Sequence, residues 1–221
     1  MRLRDRLGVS ERRQYQLSRL MQFCLVGVLF VGLDRGNLGI VVNAGLALAL
    51  THLPAILERD YDLPMDSGLV LWLTTAVFLH AVGTLGPYGA ETGLLGYWDH
   101  LTHALSSSLV AAAGYTFARA VDEHTEHVDL PPTFMFVFLV LVVLAFGVFW
   151  EVVEFAVSEI ARALGSDSVL TQYGLDDTML DLVFNTIGAV LVAVWGTAYL
   201  TDVAEAVRSR IAGGRDASDG E

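Results

Sequence analysis

The sequence predicts an all-α polytopic membrane protein, a six-helix transmembrane bundle with both termini cytoplasmic. Three observations predict it. Hydrophobic residues make up 54% of the 221-residue chain and charged residues only 17%, against about 25% charged in soluble domains. The polar residues gather in short runs between long apolar stretches, the pattern of repeated bilayer crossings. The arginines fall unequally on the two sets of alternating loops. This composition argues against a soluble enzyme and against a nucleic-acid partner, and makes the lipid bilayer the expected surroundings. Cys24 is the single cysteine, so an intrachain disulfide and a cysteine metal cluster are both impossible.

The apolar segments span residues 17–33, 36–57, 68–88, 98–120, 131–155 and 178–200. Each is near the roughly 20 residues that cross about 30 Å of hydrocarbon. The first follows a basic arm (1–16). It is short enough to resemble a signal-peptide core, but no small-residue cleavage site follows and Asp34-Arg35 comes directly after, so it reads as an uncleaved anchor. The third ends on His80 and a Gly83…Gly86-Pro87 exit. The fourth carries Ser106-Ser107-Ser108 and Ala111-Ala112-Ala113-Gly114, a small-residue face suited to close helix packing; Gly188 and Gly196 offer the same on the sixth. Pro131-Pro132 mark the start of the fifth, where a missing N–H does no harm. The tail (201–221) is acidic and small-residue-rich, and is expected to be partly disordered.

Orientation follows from arginine. With the N-terminus inside, Arg2, Arg4, Arg6, Arg12, Arg13, Arg19, Arg59, Arg119, Arg208, Arg210 and Arg215 are cytoplasmic, and only Arg35 and Arg162 lie outside. Acidic residues outnumber basic ones 25 to 13, and no lysine occurs. Strong negative charge keeps proteins solvated in concentrated salt, where screening removes its cost. A halophilic source is one reading of this balance, and a GC-rich genome that favours arginine codons is the other.

Hydropathy does not account for the ionisable residues inside the spans. Asp99 and His103 are four apart on the fourth segment, Glu151 and Glu154 three apart on the fifth, and Asp177, Asp181 and Asn185 form an i, i+4, i+8 stripe on the sixth. The alternating topology brings these groups and His80 to one depth, in the outer leaflet, whereas His52 is the main such group in the inner halves. Carboxylates and histidines projecting into a helix bundle can hold divalent metals. His80, Asp99, His103, Glu154 and Asp177 are therefore candidate ligands of a divalent metal ion, with Glu151 and Asp181 as candidate general bases. The alternative is that these carboxylates snorkel to water or cap helix N-termini, and Asp99, Asp176 and Asp177 sit where caps would be. Tyr88, Tyr97, Trp98 and Trp150 fit an outer aromatic belt and Trp72 an inner one. His124 and His127 have metal-ligand spacing, but in a loop so acidic that a solvated surface is expected.

The strings YWDHLTH (97–103), WEVVEF (150–155) and TQYGLDDTMLDLVFNTIGA (171–189) resemble, in that order, segments of the YjdF-type inner-membrane proteins of unknown function. The likeness touches Asp99, His103, Glu151, Glu154, Thr171, Gln172, Asp177, Thr178 and Asp181, with His80 ahead of them. A more distant similarity is to VanZ-like proteins. Phe155 and Met179 stand where the family has tryptophan and glutamine. The resemblance implies a fold and a site, and no activity.

Three function classes are open. The first is a metal-assisted membrane enzyme acting on a lipid or lipid-linked substrate at the outer leaflet. The second is a small ion- or proton-coupled transporter, for which Asn43, His52, Thr74 and Asn185 are the polar groups along a route. The third is a structural or assembly protein whose polar network fixes helix packing.

Overall fold

The computed structural model describes residues 10–89, 96–124, 130–196, 200, 204 and 205, with the side chains of 123, 124, 195 and 196 left aside. The His124/His127 pair and most of the acidic tail lie outside the described residues and side chains. Six helices account for almost all of them: α1 (Glu11–Asp34), α2 (Leu38–Tyr61), α3 (Ser67–Gly83), α4 (Trp98–His124), α5 (Pro132–Leu164) and α6 (Leu175–Leu191). No strand occurs among the described residues.

Local chemistry sets the boundaries. α1 starts at Glu11, six residues before the expected apolar segment, because Ser10 caps it by accepting from the Arg13 amide. Its first turns are then held inward by a hydrogen bond from the Ser67 hydroxyl to Gln14 Oε1, 2.8 Å long. Asn37 caps α2 through the Ile40 amide, and Asp66 caps α3 through the amides of Gly68 and Leu69. α2 is interrupted at Thr51 and His52, so that it runs as Leu38–Leu50 and Leu53–Tyr61. Pro54 explains the break, since it lacks an N–H and its ring would meet the Leu50 carbonyl. α3 stops at Gly83, earlier than the expected segment, and a short 3-10 turn (Pro87–Gly89) follows. α5 begins at Pro132 as its prolines predict, but runs nine residues past Phe155, to a left-handed Gly165 with φ of 66°. No helix-breaking residue intervenes before that glycine, and an Arg162–Glu159 pair spans the last turns. At 33 residues it is about 50 Å long, so Glu151 and Glu154 lie well inside the helix. α6 closes in a π turn at Val192–Gly196.

Four of these helices, α1, α2, α5 and α6, are long and apolar enough to cross a membrane. α3 is apolar but has only 17 residues. α4 is long enough but more polar, and its small and polar residues Thr102, Ser107, Ser108, Ala111, Ala118 and Ala120 are all buried against protein. The face of α4 that carries these residues meets other helices and needs no large apolar side chains, while Leu101 and Phe117 lie on its exposed side. Large apolar side chains such as Phe23, Phe30, Phe117, Phe149 and Val152 instead cover the outside of the bundle.

The helices pack as two groups of three. α1, α2 and α3 pack on one another, around Leu25, Ala47 and Ala81 and around Val28, Ile40 and Ala44. α4, α5 and α6 pack around Ala111, Tyr115, Leu139, Val143 and Ala189. The tightest seam is α4–α6, where Gly188 lies against the Ser107 hydroxyl and the Ala104 carbonyl. The groups are joined mainly where α3 meets α4, while α2 and α5 make no extensive contact among the described residues. A cleft is left between those two helices, and the polar residues gather at its end.

Candidate functional site

Each half supplies a different kind of polar group. From α2, Asn43 donates through Nδ2 to the carbonyls of Gly39 and Val169, both at 2.9 Å. It thereby ties the helix to the loop between α5 and α6. Its Oδ1 then accepts from His80 Nε2 of α3 at 3.0 Å, which leaves His80 Nδ1 to accept from the Tyr88 hydroxyl at 2.7 Å. Tyr88 also lies 3.2 Å from Thr102 Oγ1. Both nitrogens of His80 are thus spent on protein partners. Tyr88 sits tightly against the α3 terminus: a Cβ on Gly83 would come within 2.5 Å of its ring.

The carboxylates come from α4, α5 and α6. His100 Nδ1 meets Asp181 Oδ1 at 2.9 Å, and the His100 ring stacks on Phe184. His103 Nε2 stands 3.5 Å from Asp99 Oδ1 and 3.8 Å from Asp181 Oδ2, beyond a good hydrogen bond to either. On α5, Glu154 Oε1 accepts from the Trp150 indole at 2.8 Å, and Glu151 Oε2 accepts from the Thr178 hydroxyl at 2.8 Å. Thr178 is in turn held by the Gln172 amide. Glu151 Oε1 is buried with no hydrogen-bond partner among the described residues, the residue being only 4% exposed. Asp177 accepts from the Tyr173 amide at 3.3 Å, which is cap-like. In the loop, Tyr173 has its phenol pushed above the usual range by burial and by the neighbouring charges of Asp99, Asp177 and Glu154.

The seven residues singled out in the sequence are thus distributed unevenly. Asp99, His103 and Asp181 offer ligand atoms lying within 4.8 Å of one another; so do His100, Asp177 and Asp181, and so do His103, Glu151 and Glu154. His103 and Asp181 are each shared by two of these groups, and His80 belongs to none of them. His100 was not singled out in the sequence, although it stands between Asp99 and His103 in the same string. Asn43 and Tyr88 also belong to the network. Trp72, Trp98 and Trp150 spend their indole N–H groups on Ser108, the Leu79 carbonyl and Glu154, so they fix the interior of the bundle.

Two cavities meet at this network. A polar one of about 310 Å³ is lined by Asp99, Glu154, Tyr88, Thr171 and Tyr173. An apolar one of about 490 Å³ runs into the cleft, lined by residues such as Leu46, Leu73, Val77, Val110, Val143 and Phe146. Asn43, His80 and His103 border both.

The fold and this cluster define a helical membrane protein with a buried carboxylate–histidine constellation between two three-helix groups. A family model described as "Predicted membrane protein (DUF2238)" matches residues 17–202, and the chain belongs to that family. It is 32% identical over 140 residues to an uncharacterized protein of Thermotoga maritima, an alignment covering 63% of this chain and 67% of that relative. No solved structure matches the chain.

Proposed function

We propose that the protein is a metal-assisted membrane enzyme acting on the polar end of a lipid or lipid-linked substrate, at the outer leaflet. The observation that carries this reading is a buried Glu151, one oxygen of which has no partner among the described residues, beside a histidine–carboxylate trio. An orphaned buried carboxylate oxygen is costly unless something binds it. Tetrahedral coordination with ligand bonds near 2.1 Å puts donor atoms about 3.4 Å apart, close to the His103–Asp99 and His103–Asp181 separations of 3.5 and 3.8 Å. A divalent ion held by Asp99, His103 and Asp181 would neutralise the crowded carboxylates and lower the pKa of a bound water. Glu151 would then be placed to act as a general base, and Glu154, fixed by Trp150, as a neighbouring ligand or second proton acceptor. Asp181 moves in this reading from base to ligand. His80, saturated by Asn43 and Tyr88, shapes the wall instead of coordinating. Asp177 joins through His100 and Asp181.

Elemental analysis of detergent-purified protein tests the reading. Stoichiometric divalent metal is expected in the wild type. Asp99→Asn and Asp181→Asn are each expected to lose it while keeping a cooperative thermal transition. Metal-free wild type that takes up no added zinc, manganese or magnesium would overturn the proposal, as would variants that keep their metal.

A further inference from the structure

The proposed chemistry leaves the larger, apolar cavity unused. Its walls come from both helix groups: Leu46 and Ala47 of α2, Leu73 and Val77 of α3, Val110 of α4 and Phe146 of α5. It reaches the outside of the bundle sideways, between α2 and α5, where its lining residues Val42, Leu46 and Phe146 are 41%, 56% and 48% exposed. Those helices are the ones that make no extensive contact with each other, and both are long and apolar enough to stand in hydrocarbon. The opening therefore faces acyl chains. Water in such a cavity would find few hydrogen-bonding groups along most of its wall, whereas a hydrocarbon chain loses nothing by entering it.

The deep end of the cavity is not closed by apolar residues. There His80, His103 and Asn43 form a wall shared with the polar chamber. A ligand that fills both spaces has an apolar chain and a compact polar end. At about 30 Å³ per water-sized group, the cavity's 490 Å³ takes on the order of fifteen methylenes, one chain and not two. The carboxylate-lined chamber alone repels an anionic head, so such a head needs the cation proposed above, whereas a neutral or amine-bearing head does not.

From this we infer that the cleft between α2 and α5 is an entry port for a single hydrocarbon chain, which enters sideways from the bilayer and places its polar end against Asp99 and Glu154. The inference rests on the enzyme reading for the fate of the head and is independent of it for the chain. A free fatty acid and a phospholipid share the chain chemistry, so both are used as probes.

The protein is reconstituted in phosphatidylcholine nanodiscs with a trace of either a sixteen-carbon fatty acid or a phosphatidylcholine carrying a terminal diazirine, irradiated, and mapped by mass spectrometry. Labelling is expected at cavity residues, Leu73, Val77 and Val110 among them, as well as on the lipid-facing surface around Phe23. Ala76→Phe, and separately Val77→Trp, both at residues lining the cavity, should lower cavity labelling on the order of tenfold, equivalent to about 1.4 kcal/mol of chain affinity, and leave labelling around Phe23 unchanged. The probe that labels the cavity identifies which source the site takes. Labelling confined to the outer surface with both probes, or cavity labelling indifferent to both substitutions, would overturn the inference. A second copy of the chain covering the cleft, seen as cross-links between copies through Leu46, would overturn it too. The readout needs no metal, so loss of the enzyme reading and loss of the chain site are separate results.

Discussion

Replacing Gly188 by alanine adds one methyl group at the α4–α6 seam. The new Cβ would land on the Ser107 hydroxyl and on the Ala104 carbonyl, and 3.1 Å from the Ser108 amide nitrogen. The serine can rotate away, but the two backbone groups cannot, so the helices must separate. Overpacking of this kind costs about 1–3 kcal/mol. For a chain of 150–250 residues each kcal/mol moves the melting temperature about 2–4 °C, so a fall of roughly 2–12 °C is expected. Gly114→Ala is the matched control on α4, because its Cβ would meet Leu139 and Val142 at 3.5 and 3.6 Å, ordinary contact. That variant should melt at or slightly above the wild type, since alanine is the better helix former. Asp181 lies seven residues, about 10 Å, above Gly188 on the same helix. Separation of the seam therefore loosens the His100–Asp181 bond, and metal content should fall in Gly188→Ala at temperatures where it remains folded. The assay is thermal unfolding in detergent, followed by tryptophan fluorescence. Equal melting temperatures for Gly188→Ala and the wild type, or equal losses for the two alanine variants, would refute the claim that this seam is closed to a side chain.

Asn43→Leu removes the donor to two carbonyls and the acceptor for His80, and unmet buried groups cost about 1–3 kcal/mol each. A loss of several degrees in melting temperature is expected, against almost none for Thr186→Val, whose hydroxyl makes a helix-internal bond to the Leu182 carbonyl; similar losses would remove Asn43 from its bridging role. The Tyr173 phenol, held up by burial and by three nearby carboxylates, should titrate above the usual value of about 10. It is seen in the alkaline absorbance difference between wild type and Tyr173→Phe. Because the folded pKa is raised, the fold favours the neutral phenol, and this contribution is intact below about pH 10 and lost as pH rises through the folded value. Bound zinc should move that midpoint down by neutralising the carboxylates, and a midpoint indifferent to zinc and to Glu154→Gln would separate Tyr173 from the cluster.

Much of the architecture was legible because apolar runs long enough to cross a bilayer have few other uses, and because Pro131-Pro132 punctuate the chain as their backbones demand, whereas the run of α5 on to Gly165 was not read from the sequence. Helix ends were less legible. The inward seating of the first turns of α1 depends on Gln14 meeting Ser67, a contact 53 residues apart, and no local pattern carries that. The carboxylates stood out because charge inside an apolar helix is expensive. His100 did not, because it lies one residue from Asp99 and hence about 100° around the helix, and its reason for being there is Asp181, 81 residues later. Asn43 is neutral, and its partner Val169 is 126 residues away. The cavities arise from helices that fail to meet, which is a property of no residue in particular.

The carboxylates and the two histidines closest to them all belong to α4, α5 and α6, whereas α2 and α3 contribute Asn43, His80 and most of one wall of the apolar cavity. The two helix groups are thereby unequal: α4, α5 and α6 hold the whole carboxylate set and also share the cavity wall, through Val110 and Phe146, whereas α2 and α3 meet it only through the wall. On the proposed reading, substitutions at Leu46, Leu73 or Val77 reshape the cavity while the carboxylates keep their spacing, and relatives that differ at those positions but share residues 98–191 are expected to differ in what the cavity admits.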